Sequence, residues 1–258
     1  MIRPVAIAAL SACGLFAQTR PAFDAFEVAT IKPSPIEARA GRFITMQGHQ
    51  FVARNHALKT LLAAAYNLTP VAISGGPGWV DSDRYDILAK PPGEVRPTLG
   101  EQMAMLRKLL ADRFKLTFHR ETKEFSVYAL TVAKGGAKLR EGTEPPEGPL
   151  PLIFHVSPQE VTLPGRNATM GELASVMQRS ALDRPVLDRT GLSGRYDFEL
   201  KFTPDETLFN GAGLRGTPES TQPELFAAIQ QQLGLRLEAT RGPIQTLVID
   251  QVERPSAN

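Results

Sequence analysis

Cysteine is almost missing from this sequence: the only one, Cys13, lies close to the N-terminus. A domain that begins after it has no thiol, which excludes disulfides, thiol catalysis and Cys-ligated zinc. A dominant charge is missing as well, with 29 basic residues against 27 acidic ones and a net charge of +2. That balance gives no argument for nucleic acid or an anionic membrane, either of which favours a basic patch or stripe. The four histidines, His49, His56, His119 and His155, form no His-x-His or His-Glu-x-x-His pattern, and no DxDxDG loop occurs, so no metal is expected. There is no Gly-x-Ser-x-Gly elbow. No Walker lysine follows the glycines of Gly75 to Gly78, and no cofactor is expected. Past the N-terminus no apolar run is long enough to span a bilayer.

What is present first is an address. Arg3, the apolar stretch from Val5 to Leu10 and the small residues up to Ala17 have the order of a secretory signal peptide at 1–17. Leu10 to Gly14 also fits a bacterial lipobox, in which Cys13 would become a lipid anchor. The expectation is an exported protein, periplasmic or secreted, with a lipoprotein as the alternative. At 258 residues and 42% hydrophobic, the chain can build a sizeable core, in one domain or two small ones.

The second feature is an internal echo. Arg54 and Asn55 open a segment that runs through Leu58, Leu61 and Pro70 to Arg84, Tyr85 and Asp86. Arg166 and Asn167 open another, through Met170, Leu173 and Pro185 to Arg195, Tyr196 and Asp197. Further on, Leu233 follows Phe114 by 119 residues, and Ile244 follows Phe125 by the same 119. An echo of this length points to one supersecondary unit used twice.

Each half reads as a strand pair, a helix, a Gly/Pro/Asp-rich loop, a strand starting at Arg-Tyr-Asp, a second helix and a closing hairpin. Asn55 is a candidate cap for the first helix and Asn167 or Thr169 for its equivalent, where Thr169 with Glu172 also fits a capping box. Thr98 with Glu101, and Thr221 with Glu224, open the second helices in the same way. The closing hairpins are expected at 114–120 with 125–133 and at 233–239 with 244–252, the latter turning at Arg241 to Pro243. The fold class is therefore α+β, a tandem duplication of a ββαβαββ-like unit, with mixed or antiparallel sheets and helices packed on one face. The units are expected at 23–140 and 152–254, joined by a linker at 141–151, with a surface loop at 203–222.

Candidate binding residues are Trp79, Arg84, Asp188, Arg189 and Arg195. A Trp beside glycines can stack on a sugar or anchor a partner. Arg84 and Arg195 can donate to an anion. The competing reading keeps the Arg-Tyr-Asp triplets structural: Tyr packs inward while Arg and Asp share the opposite face, in ion pairs or turn hydrogen bonds. Trp79 likewise can dock on its own core.

Phe26 to Pro33, Asn55 with its helix, Gly76 to Trp79, Arg84 to Asp86, Met105 to Leu116 and Leu187 to Asp197 together resemble a family of exported proteins abundant in soil Acidobacteria, of unknown function. The resemblance covers 23–252 and brings no catalytic residues with it. Related domains attached to membrane sensor-peptidases of the BlaR type imply extracytoplasmic sensing or binding. As a fold-level analogy, the small αβ unit resembles the N-terminal interaction domains of secretins and TonB-dependent receptors.

The reading these features favour is a non-enzymatic binding module for an envelope protein or small ligand. The partner would sit in the cleft between the copies, or on the loops around Trp79 and Asp188 to Arg195. The alternatives are an envelope hydrolase built from dispersed residues such as His49, His119, Asp86 and Asp197, or a scaffold that oligomerises through sheet edges.

Overall fold

The computed structural model describes residues 22–35, 42–142, 152–157, 159–208 and 215–255. The signal segment with Cys13, most of the expected linker, and Asn210 to Gly213 of the expected surface loop lie outside the described residues.

The chain forms an α+β fold. Along the first half run β1 (Val28–Pro33), β2 (Phe43–Gln47), β3 (Gln50–Ala57), α1 (Leu58–Tyr66), β4 (Ile73–Gly75), α2 (Trp79–Ser82), β5 (Arg84–Lys90), α3 (Leu99–Arg113) and β6 (Thr117–Val132). Then come β7 (Arg140–Glu141), β8 (His155–Val156), β9 (Val161–Ala168), α4 (Met170–Val176), β10 (Val186–Asp188), β11 (Tyr196–Phe202), α5 (Leu225–Ala228) and β12 (Leu235–Gln251). A π turn extends α4 over Met177–Ala181, and another extends α5 over Ile229–Leu233.

Among the described residues the strands form three four-stranded sheets, ordered β1-β5-β3-β2, β10-β6-β12-β4 and β7-β11-β9-β8. The first and third are antiparallel throughout. The middle sheet is mixed, because β4 and β10 join its edges in parallel.

The middle sheet departs from the two expected hairpins. β6 runs unbroken for 16 residues and β12 for 17, and they pair with each other from Leu235 opposite Val132 to Ile249 opposite Phe118. Between Arg120 and Phe125 there is no Gly, Asn or Pro to turn the first. In the second, Gly242 and Pro243 are carried inside the strand. Pro243 sits where the outer edge of β12 is open, since β4 covers only Leu247–Ile249, so its missing N–H need not interrupt a ladder. At the centre of the ribbon Glu124 faces Pro243, two residues 119 apart, the same offset that separates Phe114 from Leu233.

The ribbon crosses from one core to the other. The first core gathers α1, α3 and sheet-one residues such as Phe51 and Ile87, but also Leu247 and Ile249 from the end of the chain. The second gathers α4, α5, Leu163, Leu200 and Phe202, together with Leu130 from the far end of β6. Each lobe is thus completed by the last strand of the other half. A small third cluster of Ala72, Val127 and Ile244 fills the middle of the ribbon.

The capping boxes at Thr98–Glu101 and Thr169–Glu172 are present. Two cap assignments change. α1 starts from Ala57 rather than Asn55, and α5 starts from Glu224 rather than Thr221. Asn55 has another task, described next.

Candidate functional site

The Arg-Tyr-Asp triplets build a latch. Asn55 stands at φ 56° and Asn167 at φ 49°, a left-handed conformation that asparagine tolerates better than most residues. Both sit where a strand bulges, between Ala53 and His56 on β3 and opposite the Tyr196/Phe198 shift on β11. A bulge takes the residue's N–H and C=O out of the ladder, so each needs a new partner. In the first lobe the Asn55 N–H donates to Asp86 Oδ1 (2.9 Å) and Arg84 Nη1 donates to the Asn55 carbonyl (3.3 Å). In the second, the Asn167 N–H donates to Asp197 Oδ1 (2.7 Å) and Arg195 Nη1 donates to the Asn167 carbonyl (2.8 Å). Ser34 and Arg54 also donate to Asp86, at 2.6 and 2.7 Å. Burial alone would raise the Asp86 carboxyl; the bonds from Ser34, Asn55 and Arg54 outweigh it and hold it below the usual carboxylate range. Tyr85 points the other way, into the first core.

The remaining expected residues are dispersed. Trp79 stacks on Phe114 with ring centroids 6.4 Å apart, and the Arg254 guanidinium lies 5.0 Å from its ring centre. Asp188 Oδ1 accepts from the N–H and hydroxyl of Thr190, an Asx turn at the end of β10. The Arg189 N–H donates to the Leu130 carbonyl. Among the described residues no hydrogen bond or ion pair joins Trp79 or Arg84 to Asp188, Arg189 or Arg195. Trp79→Ala is expected to lower stability by about 2–3 kcal/mol in urea unfolding, because the half-buried indole leaves a gap over Phe114.

Nor do the dispersed groups of the hydrolase alternative converge. His49 is in the β2–β3 turn. Asp86 and Asp197 are engaged in the latches. His119, on β6, lies between Asp250 (2.7 Å) and Glu121 (3.3 Å), which hold its imidazolium above the usual histidine range. Among the described residues no group of three or more His, Cys, Asp and Glu is placed to hold a metal ion.

Of the buried side-chain atoms without a hydrogen-bond partner among the described residues, His49 Nε2, His56 Nε2, Thr69 Oγ1 and Thr217 Oγ1, two belong to residues that meet between the lobes. There α1 ends at Asn67, whose Nδ2 donates to Ser175 Oγ (2.9 Å) and whose carbonyl accepts from Gln178 Nε2 (2.9 Å). Beside this bridge opens a cleft of about 720 Å³ lined by Arg42, His56, Thr60, Thr69, Val71 and Arg179, among others. Thr69 is 6% exposed, and its hydroxyl has no hydrogen-bond partner among the described residues. Among the described residues His56 Nε2 makes no hydrogen bond of good geometry, while His56 Nδ1 lies 3.2 Å from the Thr60 hydroxyl. Burial first, then the positive charge of Arg42 and, to a smaller extent, Arg84 lower the His56 pKa to about 4, opposed by hydrogen bonding with the Phe43 backbone and by the charge of Asp86, so the ring is neutral near pH 7.

Arg179 sits in the π turn after α4, a helix irregularity frequent at functional sites. Its Nε donates to the Ser175 carbonyl (3.1 Å), and among the described residues it has no carboxylate partner. Burial holds its pKa below the usual arginine value. On its other side Arg179 also lines a second hollow of about 420 Å³, with Tyr66, Arg107 and Glu172. The comparably large hollow beside the first latch differs in kind. Its polar groups are already engaged: Arg84 with Asn55, Ser34 with Asp86, Arg254 with Asp83.

A family model covers residues 59–252, from the start of α1 to the end of β12. The chain belongs to the DUF3738 family, proteins of unknown function. No curated protein and no solved structure matches the chain. The DUF3738 segment contains Thr60, Thr69, Gln178 and Arg179, while Arg42 and His56 precede it.

Sequence reasoning missed Thr69 and Arg179. One signal was available for Arg179: it lies 12 residues after Asn167, and the residue 12 after Asn55 is Asn67. The echo breaks there, from a helix-ending Asn to a cation.

Proposed function

We propose that this chain is an exported, non-enzymatic binding module that takes a small ligand into the cleft between its lobes. The observation that carries the reading is the set of unsatisfied groups around that cleft. Buried polar groups are nearly always hydrogen-bonded, and an unmade bond costs about 1–3 kcal/mol. Among the described residues Thr69 Oγ1 has no partner and His56 Nε2 makes no hydrogen bond of good geometry, and both residues line the same hollow. Its volume falls within the ~300–1,000 Å³ of small-molecule sites. Export rests on the order of residues 1–17, and the non-enzymatic reading on the way His119, Asp86 and Asp197 are engaged apart from one another.

The same proposal takes the two halves as copies of one unit that have exchanged their last strands. The paired latches, the parallel additions of β4 to β12 and β10 to β6, and the ribbon centred on Glu124 and Pro243 support it.

A thermal-shift screen of small carboxylates, phosphates, amines and sugars tests the binding reading. A ligand at about 100 times its Kd adds about 2.7 kcal/mol to stability, enough to move the melting point by several degrees. Hits are expected to be lost in Val71→Trp, which fills the mouth of the cleft from an exposed position. Hits that Val71→Trp leaves unchanged contradict the assignment.

A further inference from the structure

We propose that the ligand of the cleft is a small organic anion, its carboxylate or phosphate held by Arg179 and Arg42 and its apolar part lying against Val71 and Leu182. This rests on the cleft being the binding site.

The charges around the cleft are one-sided. Arg42 and Arg179 line it, and neither has a carboxylate partner among the described residues. Among the described residues Asp183 is the only acidic one lining it, and its carboxylate is engaged by Arg184 Nε at 3.2 Å. A shallower hollow of about 200 Å³ continues from the cleft through Arg42 and Thr60 to Arg84 and Lys59, extending the same positive character. Of these, Lys59 is matched by Asp81 at 3.0 Å. A half-buried guanidinium without a counter-charge favours an anion strongly, because water is excluded there and charge-assisted hydrogen bonds are about twice as strong as neutral ones.

The rest of the lining sets the shape of the ligand. Val71 is 59% exposed although it is a large apolar side chain. With Leu68 and Leu182 it gives the hollow an apolar wall. Thr69 Oγ1 is unpaired among the described residues but shut off from the cleft surface, so it donates to an anion oxygen only after its side chain turns, and the neutral His56 ring contributes no charge of either sign. A compact inorganic ion would leave the apolar wall wet, so a head group carrying several carbons fits better than phosphate alone.

Four probes test this on the full-length protein: hexanoate, hexyl phosphate, hexanol and inorganic phosphate, titrated calorimetrically. At least one of the two organic anions is expected to bind about tenfold or more tightly than hexanol and inorganic phosphate, and the order of the two identifies the head group. Arg179→Gln is expected to weaken that anion about tenfold or more and to leave hexanol nearly unchanged. Thr69→Val is expected to weaken the anion several-fold while the melting point of the ligand-free protein stays the same or rises, since the lost hydroxyl had no partner. Hexanol binding as tightly as the anions, with both lost in Val71→Trp, would overturn the anion while leaving the cleft as the site. Anion binding that survives Arg179→Gln, Thr69→Val and Val71→Trp would overturn both. Absence of binding by both organic anions overturns the anion proposal, and the wider screen then decides the cleft separately.

Discussion

Replacing Leu247 by alanine is expected to unlock the first lobe, although Leu247 lies in the last strand of the chain. The side chain is 1% exposed and packs in the core that also contains Leu58, Leu106 and Phe114. Removing a buried leucine side chain costs about 2–5 kcal/mol through lost burial and the cavity left behind. The place of the damage is more informative than its size. Hydrogen exchange is expected to speed up first in α1 and α3, residues far from Leu247 in sequence, with α4 and α5 affected less. Leu130→Ala is expected to do the reverse, because Leu130 of β6 packs in the second core with Leu173 and Leu235. Two closed hairpins would give the opposite pattern, each substitution loosening its own half. The comparison therefore reads the strand exchange directly.

The second large effect is at the first latch. Asp86→Ala is expected to cost about 2–3 kcal/mol, since it strands the Asn55 N–H and removes charge-assisted bonds from Arg54 and Ser34. Asp197→Ala is expected to cost less, because Asp197 accepts only the Asn167 N–H among the bonds found. The effect has a pH sign. The folded Asp86 carboxyl titrates below its unfolded value, so its stabilisation is fully present above the unfolded pKa and is lost as pH falls through the folded one. Urea midpoints of wild type and Asp86→Asn, followed from neutral into acid, are expected to converge. A gap that stays constant would mean that the carboxylate charge does not matter.

Much of the fold was legible because its signals are local. Thr98 with Glu101 and Thr169 with Glu172 announce helix starts, and buried leucines at helical spacing mark the inner faces of α1 and α3. The hairpins were misread because strand pairing is long-range. Gly242 and Pro243 have turn composition, yet the full pairing with β6 and the open edge beside Pro243 keep them extended. Asn55 was read as a cap for a similar reason. An Asn before a helical pattern caps it in most contexts, and only Asp86, 31 residues away, shows that it is the centre of a bulge. The cleft was invisible for a stronger reason. Arg42, His56, Thr69 and Arg179 form no motif, and they meet only because α1 and α4 come together at Asn67 and Gln178.

One measurement addresses the cleft itself. Backbone amide NMR spectra recorded while hexyl phosphate, or hexanoate if that binds more tightly, is titrated into the protein would map the site without any substitution. The largest shifts are expected at Thr60, Thr69, Val71, Gln178 and Arg179, with the Trp79 helix and the Asp188 to Arg195 loop unmoved. Shifts concentrated at Trp79 or at Asp188 to Arg195, with Thr69 and Arg179 silent, would contradict it.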